Sequence, residues 1–158
     1  EAYAFCIWDE GFLPSEAEWN DVATGGDQQR AYPWSLVPTS LDIDCQHANY
    51  APEGEYCKSP PLGTVALVGA VSPKGDSRWG HADMGGNVYE WTLDWYADTY
   101  KTPCTDCTYM DSTTVHSMRG GGFGNEAAQL LSSARGGNLA AARSTSLGVR
   151  CARVPESP

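Results

Sequence analysis

Between residues 27 and 80 the chain keeps no sustained helical or strand period, and this stretch limits the fold more than any other feature. Pro33, Pro38, Pro52, Pro60, Pro61 and Pro73 interrupt it, and turn-forming residues fill the spaces between them. One segment inside it, "TVALVGAV", reads as a strand. An irregular run of this length in a compact domain has to be fastened, because its backbone polar groups lack the ladder of a helix or sheet. Disulfides or a bound ion are the natural fasteners.

The cysteines fit that need. Six are present, Cys6, Cys45, Cys57, Cys104, Cys107 and Cys151, and an even count suits three disulfides. Zinc would require two converging CxxC or CxxH clusters, and only Cys104 and Cys107 have that spacing. Cys45 and Cys57 are a plausible staple of the irregular region. Reduced thiols and metal ligation are the alternatives. A disulfide framework predicts an oxidising location, extracellular or in the cell envelope.

At 158 residues one domain is expected. Twenty acidic against ten basic residues argue against nucleic acid as a partner, because phosphate binding draws on Lys and Arg. No apolar run approaches the roughly 18 to 20 residues that span a bilayer, so membrane insertion is not expected. The opening "EAYAFCIWDE" lacks the basic start and apolar stretch of a signal peptide, and its abruptness suggests that something upstream has been removed.

Regular elements are few. In "LPSEAEWNDVATGG", Ser15 and Glu18 form a capping-box pattern and Gly25-Gly26 terminate the helix. "EAYAFCIWDEG" reads as the tail of another helix, with Tyr3, Cys6 and Ile7 on one face and Gly11 as terminator. "GNVYEWTLDWY", "SMRGGGF" and "LGVRCARV" read as strands.

The chemistry gathers in "HADMGGNVYEWTLDWY", residues 81–96. Calcium takes six to eight oxygens at about 2.3 to 2.6 Å from carboxylates and carbonyls. Asp83 and Glu90 offer carboxylates, and Gly85-Gly86 let the backbone turn carbonyls inward. The plainer reading is that Asp83 and Glu90 cap turns or pair with arginines. Glu90 and Asp94 also form a candidate acid-base pair, on spacing alone. Trp91, Trp95 and Tyr96 read as core, and His47, His81 and His116 as isolated structural histidines.

"LPSEAEWNDVATGG", "YPW", "DMGGNVYEWTLDWY", "MRGGGF", "ARS" and "LGVRCAR" follow one another in the order and spacing of the formylglycine-generating enzyme (sulfatase-modifying factor) family, which nearly the whole chain resembles. The resemblance implies an α+β, C-type-lectin-like fold with little regular secondary structure, two helices and small twisted antiparallel sheets, stabilised by disulfides and calcium. It implies calcium on Asp83, Glu90 and the carbonyls of Gly86 and Val88, and a second site at Asn49 and Tyr50. It pairs Cys6 with Cys151, which leaves Cys104 for Cys107. It also implies a further N-terminal region before "AYAFCIW", on another piece of polypeptide or a partner chain, or trimmed away. Phe12 and Asn20 replace the family's arginine and glutamate, which alters an ion-pair network near the first long helix. Arg135, Arg143 and Arg150 read as clamps on loop carbonyls.

Catalysis is where the resemblance breaks. The family's copper-dependent enzymes use two cysteines after "RGG", since copper(I) selects thiolates. Here Asn125 and Leu130 stand at those positions, so no copper is expected. Two function classes follow. One is a non-catalytic, lectin-like binding or scaffold module with Phe123, Asn125, Glu126, Gln129 and Asn138 on its recognition face, for a protein or glycan ligand. The other is an oxidoreductase, formylglycine-generating or related, working through an unrecognised site.

Overall fold

The computed structural model describes residues 1–57, 64–100, 108–111 and 113–154. Two helices come first, α1 (Ala2–Trp8) and α2 (Glu16–Thr24). Four strands follow the long irregular region: β1 (Tyr89–Trp95), β2 (Val115–Arg119), β3 (Gly136–Leu139) and β4 (Leu147–Gly148). They form one mixed sheet in the order β3-β2-β1-β4, antiparallel except where β4 runs parallel to β1.

Helix α2 begins where its sequence says it should. The Ser15 hydroxyl accepts from the Glu18 N–H at 3.2 Å, and Glu18 Oε2 accepts from the Ser15 N–H at 2.7 Å. Gly25, at φ 68°, closes the other end in the left-handed conformation. Helix α1 departs from expectation in its packing. Of the anticipated face, only Cys6 is buried, and Tyr3 and Ile7 are exposed together with Phe5 and Trp8. What holds α1 is the Cys6–Cys151 disulfide, with Cα atoms 5.3 Å apart, and a short bridge between Phe12 and Ala152.

The second disulfide, Cys45–Cys57, fastens the irregular region beside a core of Tyr32, Trp34, Ala48, Tyr50 and Leu130. All four cysteines among the described residues are in these two bonds, as expected; Cys104 and Cys107 lie outside the described residues. Two disulfides fit an oxidising compartment. No described helix is long and apolar enough to cross a membrane.

Two expectations fail here. "TVALVGAV" is a loop and not a strand, with Val65, Leu67 and Val68 exposed and only Val71 buried. Side chains have taken the backbone groups a ladder would use. Asn87 accepts from the Ala66 N–H at 2.8 Å and donates to its carbonyl at 3.3 Å, and Asp83 accepts from the Gly69 N–H at 2.7 Å. The second failure is the face of β1. Its buried side carries Glu90, Thr92 and Asp94, while Trp91 and Trp95 on the other side are only half-buried. The polar face is buried because hydrogen-bonding partners meet it there: Trp19 and Arg150 for Glu90, the Ser117 carbonyl for Thr92, and the N–H groups of Glu16 and Tyr109 for Asp94.

Candidate functional site: the glycine-rich loops beside the sheet

Three residues in the turn before β1 hold left-handed backbone: Asp83 (φ 56°), Gly86 (φ 87°) and Asn87 (φ 65°). At Gly86 a Cβ would fall 2.6 Å from the Asn49 carbonyl oxygen, so no other residue fits. This close approach joins the two segments expected to bind calcium. The Asn87 N–H donates to the Asn49 carbonyl at 2.8 Å, and Asn49 Nδ2 donates to Asn87 Oδ1 at 3.2 Å and to the Thr64 carbonyl at 2.8 Å. Asn49 Oδ1 is fully buried and accepts no hydrogen bond from the protein. A buried acceptor without a donor is costly, and a cation would satisfy it. That oxygen is what the Asn49 corner offers a hard cation; the Asn49 and Tyr50 carbonyls beside it accept from the Asn87 and Cys57 N–H groups at 2.8 and 3.2 Å.

The neighbouring carboxylates are already engaged. Glu90 accepts from Arg150 twice, at 3.0 Å from Nε and 2.8 Å from Nη2, and from Trp19 Nε1 at 2.8 Å. Arg150 also donates to the Ala82 carbonyl at 2.7 Å. Burial pushes the Arg150 guanidinium down, but the Glu90 charge and hydrogen bonds, with Asp83 further off, hold it above its ordinary value. The Glu90 carboxylate and the Ala82 carbonyl therefore share one guanidinium, and Asp83 accepts instead from the Gly69 N–H. The carbonyl of Gly86 accepts from the Val88 N–H at 2.9 Å. Among the described residues no three His, Cys, Asp or Glu side chains converge as a metal site would have them.

A second buried charge cluster lies behind β1. Arg135 clasps Glu16 through two bonds of 2.6 and 2.7 Å, sits over the Tyr100 ring at 4.1 Å, and donates to the Ala97 carbonyl at 2.7 Å. Burial pushes Glu16 up, yet Arg135 and Arg119 together hold it below the usual carboxylate range. Burial raises Asp94, with the Glu16 charge adding to it, against the N–H groups of Glu16 and Tyr109 that donate to it at 2.6 and 2.7 Å. Glu90 and Asp94 share the buried face of β1 four residues apart, roughly 13 Å along a strand. That is too far for a glycosidase pair, and both are committed to structural bonds. Arg119, fully buried beneath Trp19 at 4.9 Å, donates to the Ser132 carbonyl at 3.0 Å, to the Ala134 carbonyl and to Asn20 Oδ1. The asparagine at position 20 thus serves an arginine as an uncharged acceptor.

After β2, Gly120 and Gly121 turn left-handed and fold the loop back on itself; a Cβ on Gly121 would meet Leu130 Cδ1 at 2.8 Å. The loop presents four of the five candidate recognition residues together. Phe123 is half-buried and packs on Tyr56, ring centroids 6.1 Å apart, and Glu126 and Gln129 are exposed. Asn125 Oδ1 accepts from the Gly122 N–H at 2.8 Å and its carbonyl accepts from the Ala51 N–H at 2.8 Å, so its amide shapes the turn. Asn138 is elsewhere. It lies on β3 opposite His116, toward the Val115 end of β2, while the loop leaves from the Arg119 end. Leu130 is completely buried in the Tyr32–Trp34 core.

Sequence reading missed Tyr56 as the partner of Phe123; it offered an arginine for Glu90 without singling out Arg150. No local spacing signals the first, since 67 positions separate the two rings; the second had its signal in the general pairing of buried carboxylates with arginine. Arg143 is exposed and pairs with Glu1 and does not clamp a loop carbonyl.

Residues 1–155 match the sulfatase-modifying factor enzyme 1-like domain. The formylglycine-generating enzyme of Streptomyces coelicolor is 31% identical over 166 residues, covering 96% of this chain and 49% of the relative. The inactive C-alpha-formylglycine-generating enzyme 2 of Bos taurus is 30% identical over 154 residues, covering 96% and 47%. Among solved structures, Treponema denticola variable protein 1 superposes with a TM-score of 0.69 at 27% identity, covering 90% of this chain and 47% of that one. PvdO from Pseudomonas aeruginosa gives 0.75 at 22% identity, covering 94% and 56%. The chain spans about half the length of the curated relatives it matches. From the capped helix through the glycine turns to the disulfide-tied closing segment, it belongs to the sulfatase-modifying factor enzyme 1-like domain family.

Proposed function

We propose that this domain is a non-catalytic binding or scaffold module of its family, lectin-like in architecture and working outside the cytoplasm. The reading rests on the two positions, Asn125 and Leu130, where the resemblance places the copper enzymes' thiolates. Asn125 spends its side chain on the Gly122 N–H, and Leu130 fills the core. Neither side chain can carry copper(I) as a thiolate. The likeness to an enzyme described as inactive supports the same reading.

The recognition face is the loop of Phe123, Asn125, Glu126 and Gln129, extended by Tyr56. A half-exposed aromatic pair beside polar side chains suits a glycan or a protein surface, since it offers stacking area and hydrogen bonds at low entropic cost. Calcium is proposed at the Asn49 corner, with Asn49 Oδ1 and the Tyr50 carbonyl as donors, supported by the orphaned Asn49 oxygen. Its role is structural: it would neutralise buried oxygens and fix the turn that carries the recognition loop. The family's other position, at Asp83, Gly86, Val88 and Glu90, is the weaker candidate, because Arg150 already balances Glu90.

The test is to probe glycan and protein arrays with the wild type and with Phe123→Ala and Gln129→Ala. Reproducible binding that both variants weaken supports the module. Undiminished binding by both variants refutes the assigned face, and thiol-dependent oxygen consumption by the wild type refutes the non-catalytic reading.

A further inference from the structure

Three of the ten Lys and Arg residues of this acidic chain, Arg30, Lys74 and Arg78, line one groove of about 710 Å³ on the side of the irregular region. Its floor is Trp34, on which the ring of His47 stacks with centroids 5.8 Å apart; Asp44 Oδ1 lies 2.8 Å from His47 Nδ1 and orients that ring. Its lip is apolar and exposed: Leu36 retains 89% of its accessible surface and Val37 63%.

The two guanidiniums are only partly used. Arg30 donates through Nε to Gln28 at 2.8 Å and through Nη1 to the Pro33 carbonyl at 3.1 Å. Arg78 hydrogen-bonds through Nη1, to the Gly25 carbonyl at 2.9 Å and to Asp27 at 3.2 Å, and its guanidinium lies 5.6 Å from the Trp79 ring centroid. Asp27 is almost fully exposed, so that ion pair contributes little and is readily displaced. Both arginines flank Gly25, where a Cβ would meet Arg30 Cδ at 3.2 Å and Arg78 Cβ at 3.4 Å. Burial, and then the like charge of Arg78, hold the Arg30 guanidinium below its ordinary value. Two acids share the rim, but each is turned to its own loop: Ser40 donates to Asp42 at 2.7 Å and Ser72 to Asp76 at 2.5 Å.

We infer that this groove binds an organic carboxylate carried on an apolar body, the anion between Arg30 and Arg78 and the body against Leu36 and Val37. Two arginines lining one groove, with N–H groups the protein does not use, match the fork of a carboxylate, and the exposed aliphatic lip supplies a dry surface for the attached chain. The site is separate from the Phe123 loop and does not depend on its role.

Two sources can supply such a carboxylate, a free organic acid or an acidic side chain of a protein, and the probes separate them. The oxidised, full chain is titrated with N-acetyl-leucine, with its uncharged amide, and with a blocked Leu-Glu-Leu peptide, while backbone amide and indole resonances are followed by NMR. The expected result is saturable shifts at Trp34, His47 and Gly80 with the free acid, the peptide or both. The amide should bind about tenfold more weakly or worse, as loss of a charged hydrogen bond implies. Arg78→Gln and Leu36→Ser, both surface changes, should each weaken the acid while leaving the melting temperature within a few degrees. Equal shifts with acid and amide, shifts mapping elsewhere, or no shift with either carboxylate would overturn the inference.

Discussion

Arg150→Met is the sharpest probe of how the glycine-rich turn is held. The substitution removes three hydrogen bonds, two to Glu90 and one to the Ala82 carbonyl, and keeps the aliphatic stem. Glu90 stays at 5% exposure with only Trp19 Nε1 donating to it. Removing one partner of a buried ion pair costs about 3 to 5 kcal/mol, because the remaining charge is stranded. The Arg150 side chain is 27% exposed, so water will reach part of the gap. We therefore expect the lower end, about 3 kcal/mol, or a fall of roughly 6 to 12 °C in melting temperature for a chain of this length. Urea unfolding followed by tryptophan fluorescence measures it. The double variant Glu90→Gln with Arg150→Met should recover at least half the loss, since no charge is then left behind. A loss below about 1 kcal/mol, with no coupling between the two sites, would refute the argument that Arg150 balances Glu90.

Four further outcomes follow from the same geometry. Gly86→Ala forces a side chain into left-handed backbone and against the Asn49 carbonyl, and should cost about 2 to 3 kcal/mol in the same unfolding assay. Replacing Cys6 and Cys151 by serine opens a loop of nearly the whole chain and should cost up to about 4 to 5 kcal/mol by loop entropy, read as a lowered urea midpoint without added reductant. For pH, Glu16 has a folded pKa below its unfolded one, so its contribution is present above the usual carboxylate range and is lost on acidification, whereas Asp94, raised, opposes it by losing stability as pH rises. Asp94→Asn should therefore steepen the acid-side fall in stability, and Glu16→Gln should flatten it. Chelation of calcium should lower the melting temperature of the wild type, and Asn49→Leu should abolish that response; no response in the wild type would remove the cation from the proposal.

The elements that sequence conveys well are those whose signals are local. The Ser15–Glu18 capping box and the Gly25 stop lie within one helix, and both appear as read. The cysteine framework was also legible, through family spacing for Cys6 and Cys151 and through a twelve-residue interval for Cys45 and Cys57. What failed depends on distant partners. "TVALVGAV" carries strand-forming residues, but Asn87 and Asp83, which arrive from later in the chain, capture its backbone. Strand β1 looks like an aromatic core strand, yet its face is chosen by Trp19, Arg150 and the start of α2, and the acids turn inward. Asn138 was grouped with the recognition loop because it is near in sequence, and the ladder register places it at the other end of β2. The groove at Arg30 and Arg78 has no sequence signature, since the two arginines meet only across the Gly25 turn.

On the proposed reading, Asn125 and Leu130 leave the family's copper chemistry without its ligands. An anaerobic copper(I) titration of the oxidised chain tests it most directly, with a soluble chelator as competitor and oxygen uptake measured afterwards in the presence of a thiol. No stoichiometric copper capture and no uptake above the buffer rate are the predicted results. Tight one-to-one copper binding with thiol-dependent oxygen uptake would contradict it.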